Sequence, residues 1–255
     1  MRPADALRSA HAQPPAAGEP GGPPAPALPA PFTWLEGQIA IDLPGGHALF
    51  TTRAGGDLAA ERAGSERLRR LVGPAAEHWA QDHQVHEQRV RVVAGGGPVG
   101  AMVTDSDGIA TARRDVACVV RTADCVPIAL IAPEAVAMLH AGWRGLAAGI
   151  ADAGVRTLRA LGASEIRAAT GPHARVCCYE AGEEVHAAFA PLGPAVRHGR
   201  RADLEAVTRA LLSQSGVDEL HAAGLCTICS HPELLWSHRR QGAAAGRQGG
   251  IAWRS

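Results

Sequence analysis

Cys125, closing Thr122-Ala123-Asp124-Cys125, and His140, opening His140-Ala141-Gly142-Trp143-Arg144-Gly145, set a thiol and an imidazole near each other in the chain. Such a pair serves either as metal ligands or as a nucleophile and its base. Upstream, His83-Gln84-Val85-His86 offers further imidazoles. One cysteine with two histidines would leave one tetrahedral position of a zinc ion open for water.

The elements that must hold these groups read as short strands. Apolar runs over 117–121 and 136–139 precede Cys125 and His140, and small or polar residues follow, so two strand ends can present both side chains on one rim. Further strands are expected over 39–42, 47–51, 90–93, 100–103, 128–131, 166–170 and 219–222. The 3.6-residue period predicts helices over 59–71, 145–161, 182–190 and 201–215, with Gly162 and Gly216 at C-cap positions. Strands and helices intermingle without strict βαβ alternation, and no GxGxxG follows a first strand, which argues against a dinucleotide-binding fold. If the 83–86 stretch is extended, His83 faces away from His86 and is a bystander.

With 255 residues, 46% apolar and 20% charged, the chain has the composition of one soluble globular catalytic domain. Residues 1–31 are rich in Pro, Ala and Gly and read as a disordered tail before a single domain over 32–255. The formal charge is zero, so nothing draws the chain toward nucleic acid or an anionic membrane, and no apolar run is long enough to span a bilayer. No secretory signal accompanies the six cysteines, which points to a reducing cytoplasm. The state expected there is a monomer or a small homo-oligomer. All 25 basic residues are arginine, a bias that a GC-rich genome produces without any functional demand.

The order of several short motifs resembles the YfiH family of laccase-domain proteins, variously labelled polyphenol oxidases or purine nucleoside phosphorylases. The motifs are Thr52-Arg53-Ala54-Gly55-Gly56, Gln84-Val85-His86, Thr122 to Pro127, His140 to Gly145, Gly171-Pro172, Cys178-Tyr179-Glu180, Cys226-Thr227 and Ser237-His238-Arg239-Arg240. The resemblance implies an α/β fold, a layered α-β-β-α sandwich of the type shared with cytotoxic necrotizing factor. It implies zinc, with copper as the second candidate, on His86, Cys125 and His140, the residues it makes catalytic. It also implies phosphorolysis of adenosine, inosine and methylthioadenosine to free base and sugar 1-phosphate, with deamination of adenosine. A nucleoside and phosphate are then the partners, with Arg53, Arg144 and Asp124 as candidate substrate contacts. Arginine forks suit phosphate, although any one of them can equally be a solvated surface group.

The resemblance also implies two other chemistries: an amide hydrolase using Cys125 and His140, which the fold relatives suggest and family members described as peptidoglycan-precursor editing factors support, and a copper polyphenol oxidase, after the older family label. The second would need several His-x-His pairs that the chain lacks. The chain also departs from the family pattern. The Ser-Leu-Asn stretch expected after Gly56 is replaced by Asp57-Leu58-Ala59-Ala60, Glu87 stands for a glycine, His238 for an aromatic, and His173-Ala174 for isoleucine-glycine. Trp143 reads as core rather than as a platform for a purine. Cys177-Cys178 and Cys226-x-x-Cys229 could in principle make a four-cysteine site, but adjacent cysteines rarely ligate one ion, so Cys178 reads as pocket wall or core.

Overall fold

The computed structural model describes residues 25–59, 66–94 and 101–255. Period-two alternation builds two sheets whose inner faces meet. The first contains β1 (Thr33–Leu35), β2 (Gln38–Leu43), β3 (Gly46–Phe50), β4 (His78–His83), β6 (Ala101–Asp105), β8 (Val116–Thr122) and β15 (Gln248–Arg254), in the order β1-β2-β3-β15-β8-β4-β6. The second contains β5 (Val90–Val93), β7 (Gly108–Thr111), β9 (Val126–Ile131), β10 (Val136–Ala141), β11 (Arg167–Thr170) and β14 (Leu220–Ala222), in the order β14-β11-β9-β10-β7-β5. A separate ribbon pairs β12 (Arg197–His198) with β13 (Arg201–Ala202).

Ile39, Ile41, Phe50, Cys118 and Val120 of the first sheet pack with Ala129, Ile131, Val136 and Met138 of the second. The alternate residues of the second sheet, Ile128, Leu130, Ala137 and Leu139, face helices α2 (Trp143–Ala148), α3 (Ile150–Ala160), α4 (Glu183–Phe189) and α5 (Leu204–Gln214). On the far side, Leu49, Val119, Ile251 and Trp253 meet Leu68 and Val72 of α1 (Glu66–Val72). The layers are therefore α-β-β-α, as expected. A last short helix, α6 (His238–Gln241), is capped by the Ser237 hydroxyl, which accepts from the Arg240 N–H.

Several elements differ from the sequence reading. The helix expected over 145–161 is two helices, because Gly149 adopts φ 99° and its N–H caps the carbonyls of Gly145 and Leu146. Such a backbone turn is open to glycine at little steric cost. The helix expected from residue 59 is described only from Glu66, and 60–65 lie outside the described residues. Strands β4 and β15 carry no strand signal in the sequence, for opposite reasons. Gln81 and Asp82 make β4 look polar although both are buried, and Gly249-Gly250 give β15 no strand signal. Those glycines leave room for the Val120 carbonyl and for the Met138 sulfur, which a Cβ on Gly250 would meet at 2.5 Å.

Residues 25–31, placed with the tail on composition, touch the body. Leu28 packs against the inter-sheet core, and the Trp34 indole donates to the Pro26 carbonyl at 2.9 Å. Residues 1–24 of the expected tail lie outside the described residues.

Gly171 sits where a Cβ would strike the Phe50 ring, a fully buried group. Gly171→Ala is therefore expected to destabilise the protein by about 1–3 kcal/mol through overpacking. Urea denaturation measures this, and an unchanged midpoint would show that the ring shifts freely.

Candidate metal centre

β9 and β10 are antiparallel neighbours with His140 opposite Pro127 and Ala141 opposite Val126. Cys125, immediately before β9, therefore lies beside the end of β10. In β10, His140 shares the parity of Val136 and Met138, which carries its ring toward the inter-sheet side at the rim. Of the two strand ends expected from sequence, that of 136–139 carries His140 as read, whereas Cys125 is brought beside it by the start of β9, because the 117–121 strand belongs to the other sheet.

His86 arrives from the segment between β4 and β5. Its backbone is left-handed, φ 65°, so the stretch is not the extended piece assumed from sequence. Three consecutive N–H groups explain the bend. Those of Val85, His86 and Glu87 donate to the Asp107 carboxylate at 3.1, 2.9 and 2.8 Å. His83 ends β4 exposed and paired with Asp105 at 3.1 Å, outside the cluster.

The ligand atoms of His86, Cys125 and His140 all lie within 4.8 Å of one another. The Cys125 sulfur is 4.0 Å from His86 Nε2, and the two imidazoles meet edge to face with centroids 4.8 Å apart. Asp107 Oδ1 lies 2.7 Å from His140 Nδ1. That contact makes Nδ1 the donor and leaves Nε2 directed at the cluster, the arrangement a metal-ligating histidine needs. Gly142 borders the group, and a Cβ there would stand 3.0 Å from the His86 ring and 3.1 Å from the Cys125 sulfur. A soft sulfur, two imidazoles and a side-chain-free wall suit a transition-metal ion such as zinc.

Without a metal the three groups polarise one another. Burial opposes the Cys125 thiolate, but the neighbouring His140 and then His86 outweigh it and bring its pKa down to about 6. Burial likewise opposes the His140 cation, yet the Cys125 and Asp107 anions lift it to about 9. The Asp107 carboxyl stays below its ordinary range despite burial, because His140 and the N–H groups of Glu87 and His86 hold the anion. The stability it confers is thus present at neutral pH and lost as the pH falls through its folded value.

Asp124 has φ 96° and is buried. Its carboxylate accepts from the Thr227 hydroxyl at 2.6 Å and from the Arg239 N–H at 2.7 Å. Both oxygens are thereby engaged within the protein. Arg144 is exposed and lies over the Trp143 ring at 4.4 Å, and Trp143 packs on the helix-side core. Arg53 lies over Trp236 at 3.7 Å, with its Nε 3.4 Å from the Leu235 carbonyl. Burial and then Arg240 lower its pKa. Arg240 donates to the carbonyls of Thr227, Ile228 and Leu235, so it clamps loops together. Arg239 covers Tyr179 at 4.9 Å and donates to the Glu180 carbonyl at 2.9 Å.

Gly142 lies within the His140 to Gly145 run, whereas no sequence motif marks Asp107. Ser106-Asp107-Gly108 reads as an ordinary turn, and nothing local tells its carboxylate apart from a turn-forming aspartate.

An α-β-β-α sandwich carries at its rim a Cys-His-His group that could hold a metal ion. A family model described as multi-copper polyphenol oxidoreductase laccase matches residues 48–255, and the chain belongs to this family, the YfiH or laccase-domain proteins. The purine nucleoside phosphorylase ORF3 of Streptomyces griseus is 38% identical over 208 residues, covering 78% of this chain and 83% of that protein. A purine nucleoside phosphorylase of Deinococcus radiodurans is 36% identical over 223 residues, covering 78% and 85%. Among solved structures, YlmD of Geobacillus stearothermophilus superposes with a TM-score of 0.76 at 27% identity, covering 89% of this chain and 99% of that one. YfiH of Bacillus licheniformis gives 0.74 at 25% identity, covering 89% and 100%.

Asp107→Asn keeps the side chain's size but removes its charge and opposes one amide NH2 to the backbone donors. Zinc affinity, measured by chelator competition, is expected to fall about 10–100-fold while the protein stays folded. An unchanged affinity would show that Asp107 does not orient His140. In chelator-treated protein, the alkylation rate of Cys125, followed by peptide mass mapping, should rise with pH through a midpoint at about 6, as the thiolate forms. Cys118, fully buried and pushed up to about 12, should remain unmodified while folded. A Cys125 midpoint near the usual thiol value would rule out stabilisation by His140.

Proposed function

We propose that the protein is a zinc-dependent purine nucleoside enzyme. It splits adenosine, inosine and methylthioadenosine with phosphate into free base and sugar 1-phosphate, and also deaminates adenosine. The observation that carries this reading is the open His86, Cys125 and His140 group, in a chain whose relatives from Streptomyces griseus and Deinococcus radiodurans are named purine nucleoside phosphorylases.

His86, Cys125 and His140 would hold the zinc. Bound there, zinc would serve as a Lewis acid that polarises a substrate oxygen or makes a water more acidic. The chain's own groups prepare the site. Asp107 fixes the His140 ring and its tautomer, so that Nε2 needs no reorientation when a ligand arrives. Gly142 keeps a wall of the site free of side chain, which gives a planar base or a sugar close access. Asp124 and Thr227 hold the backbone that presents Cys125. Arg144 and Arg239 supply cationic forks for phosphate, Arg144 from the start of α2 beside Gly142 and Arg239 from α6 beside Asp124. Arg53, stacked on Trp236, is the third such candidate.

One observation favours a second reading. Cys125 near pKa 6 beside His140 near pKa 9 forms, without metal, the thiolate and imidazolium of a cysteine hydrolase, which fits an amidase acting on peptidoglycan precursors. Copper polyphenol oxidation has weaker support. Among the described residues only one metal-capable group contains histidine, fewer than a multicopper centre uses.

Zinc-loaded protein incubated with each nucleoside, with and without phosphate, and followed by chromatography is expected to release free base only when phosphate is present. Adenosine should additionally yield inosine, and His86→Ala should abolish both. Absence of turnover on all three nucleosides would overturn the nucleoside reading and favour the amidase.

A further inference from the structure

A second group of soft ligands stands apart from the first centre. The sulfurs of Cys177, Cys178, Cys226 and Cys229 lie within 4.8 Å of one another, with Cys177 and Cys229 at 3.6 Å. All four are free thiols, since a disulfide would need a sulfur separation of about 2.05 Å. A tetrahedral zinc with Zn–S bonds of about 2.3 Å places its sulfurs about 3.8 Å apart, which is the scale of this cluster.

The topology explains how two remote cysteine pairs meet. β11 and β14 are parallel neighbours, with Ala168 opposite Leu220, so the loops after them leave the sheet at the same end. Those loops stay paired. The His173 N–H donates to the Leu225 carbonyl at 3.3 Å, the Thr227 N–H donates to the His173 carbonyl at 3.0 Å, and Arg175 Nη1 donates to the Gly224 carbonyl at 2.6 Å. The Cys178 N–H then closes a turn on the Arg175 carbonyl at 2.9 Å. This turn overturns the objection to adjacent cysteines, because both sulfurs point to one side instead of alternating as on a strand.

The Cys226-x-x-Cys229 loop is built as a knuckle. The Ser230 N–H donates to the Cys226 carbonyl at 2.9 Å, and the Ser230 hydroxyl accepts from the Cys226 N–H at 3.1 Å. Cys177 and Cys229 are exposed, which leaves an entry path from solvent.

We propose that Cys177, Cys178, Cys226 and Cys229 form a second, structural metal site that takes one zinc ion as a tetrathiolate. Binding releases the thiol protons to solvent and changes no oxidation state. The closed sulfur shell leaves no coordination position for substrate, so the ion acts as a clip. It locks the two loops that support the first centre. Thr227, next to Cys226, holds the Asp124 carboxylate, and the Ala174 N–H donates to the Asp124 carbonyl at 2.9 Å. Asp124 in turn precedes Cys125.

The test uses the full chain and reads metal content, so it does not depend on the nucleoside reading. His86→Ala disables the first centre and should still retain about one zinc per chain by elemental analysis. Cobalt exchanged into that variant should show the thiolate-to-metal charge-transfer and d–d bands of a tetrahedral tetrathiolate. A Cys177→Ser, Cys229→Ser double replacement on the His86→Ala background should lose both the metal and the bands. If that protein fails to fold, the cobalt spectrum and native mass of His86→Ala alone still decide. Metal-free His86→Ala in which Cys177, Cys178, Cys226 and Cys229 all react as free thiols, a disulfide between two of these cysteines, or iron in place of zinc would each overturn the proposal.

Discussion

The buried carboxylate of Asp107 is the constraint around which the centre is organised. It has no exposure to water and needs compensation from every side. Three successive N–H groups of the 85–87 bend and the His140 imidazole provide it. The Asp107 carbonyl also accepts from the His140 N–H at 2.7 Å. One residue therefore sets the left-handed backbone of His86, the tautomer of His140 and the spacing between the two imidazoles.

That arrangement requires a rigid frame, which the paired sheets supply. β9 and β10 are buried throughout, so a one-residue slip of their register would exchange the side chains packed on the helices with those packed on the other sheet and disrupt both cores. The register places Pro127 beside His140, and Cys125 follows from it. On the other flank, β11 lies antiparallel to β9 with Thr170 opposite Ile128, which brings the loops after β11 and β14 to the same rim. Asp124 joins the frame to these loops through Thr227, Ala174 and α6. Its unusual backbone conformation is retained because three different segments hold it.

Arginine serves this rim mainly as a connector. Arg240 binds four backbone carbonyls, and Arg247 binds those of Ala245 and Gly246. The run Ser237-His238-Arg239-Arg240 thus combines a helix cap, a clamp and an exposed cation within four residues. Such a motif is visible in a sequence, but the division of labour inside it depends on which carbonyls face it.

The residue types of the centre and most of the elements that carry them are legible in the order of the residues alone. Cys125 and His140 follow clear apolar runs, the strand over 90–93 has the limits read from its pattern, and Gly162 and Gly216 end helices with left-handed backbones. These features are local, governed by alternation and by glycine's freedom from a Cβ. The rest depends on how the chain packs. Asp107 comes to orient His140 because the 85–87 bend folds over it, β4 is an interior strand because its polar residues find partners, and four cysteines gather because two loops leave parallel neighbouring strands together. Each of these depends on contacts between segments far apart in the chain, and such contacts leave no periodic trace in the order of the residues.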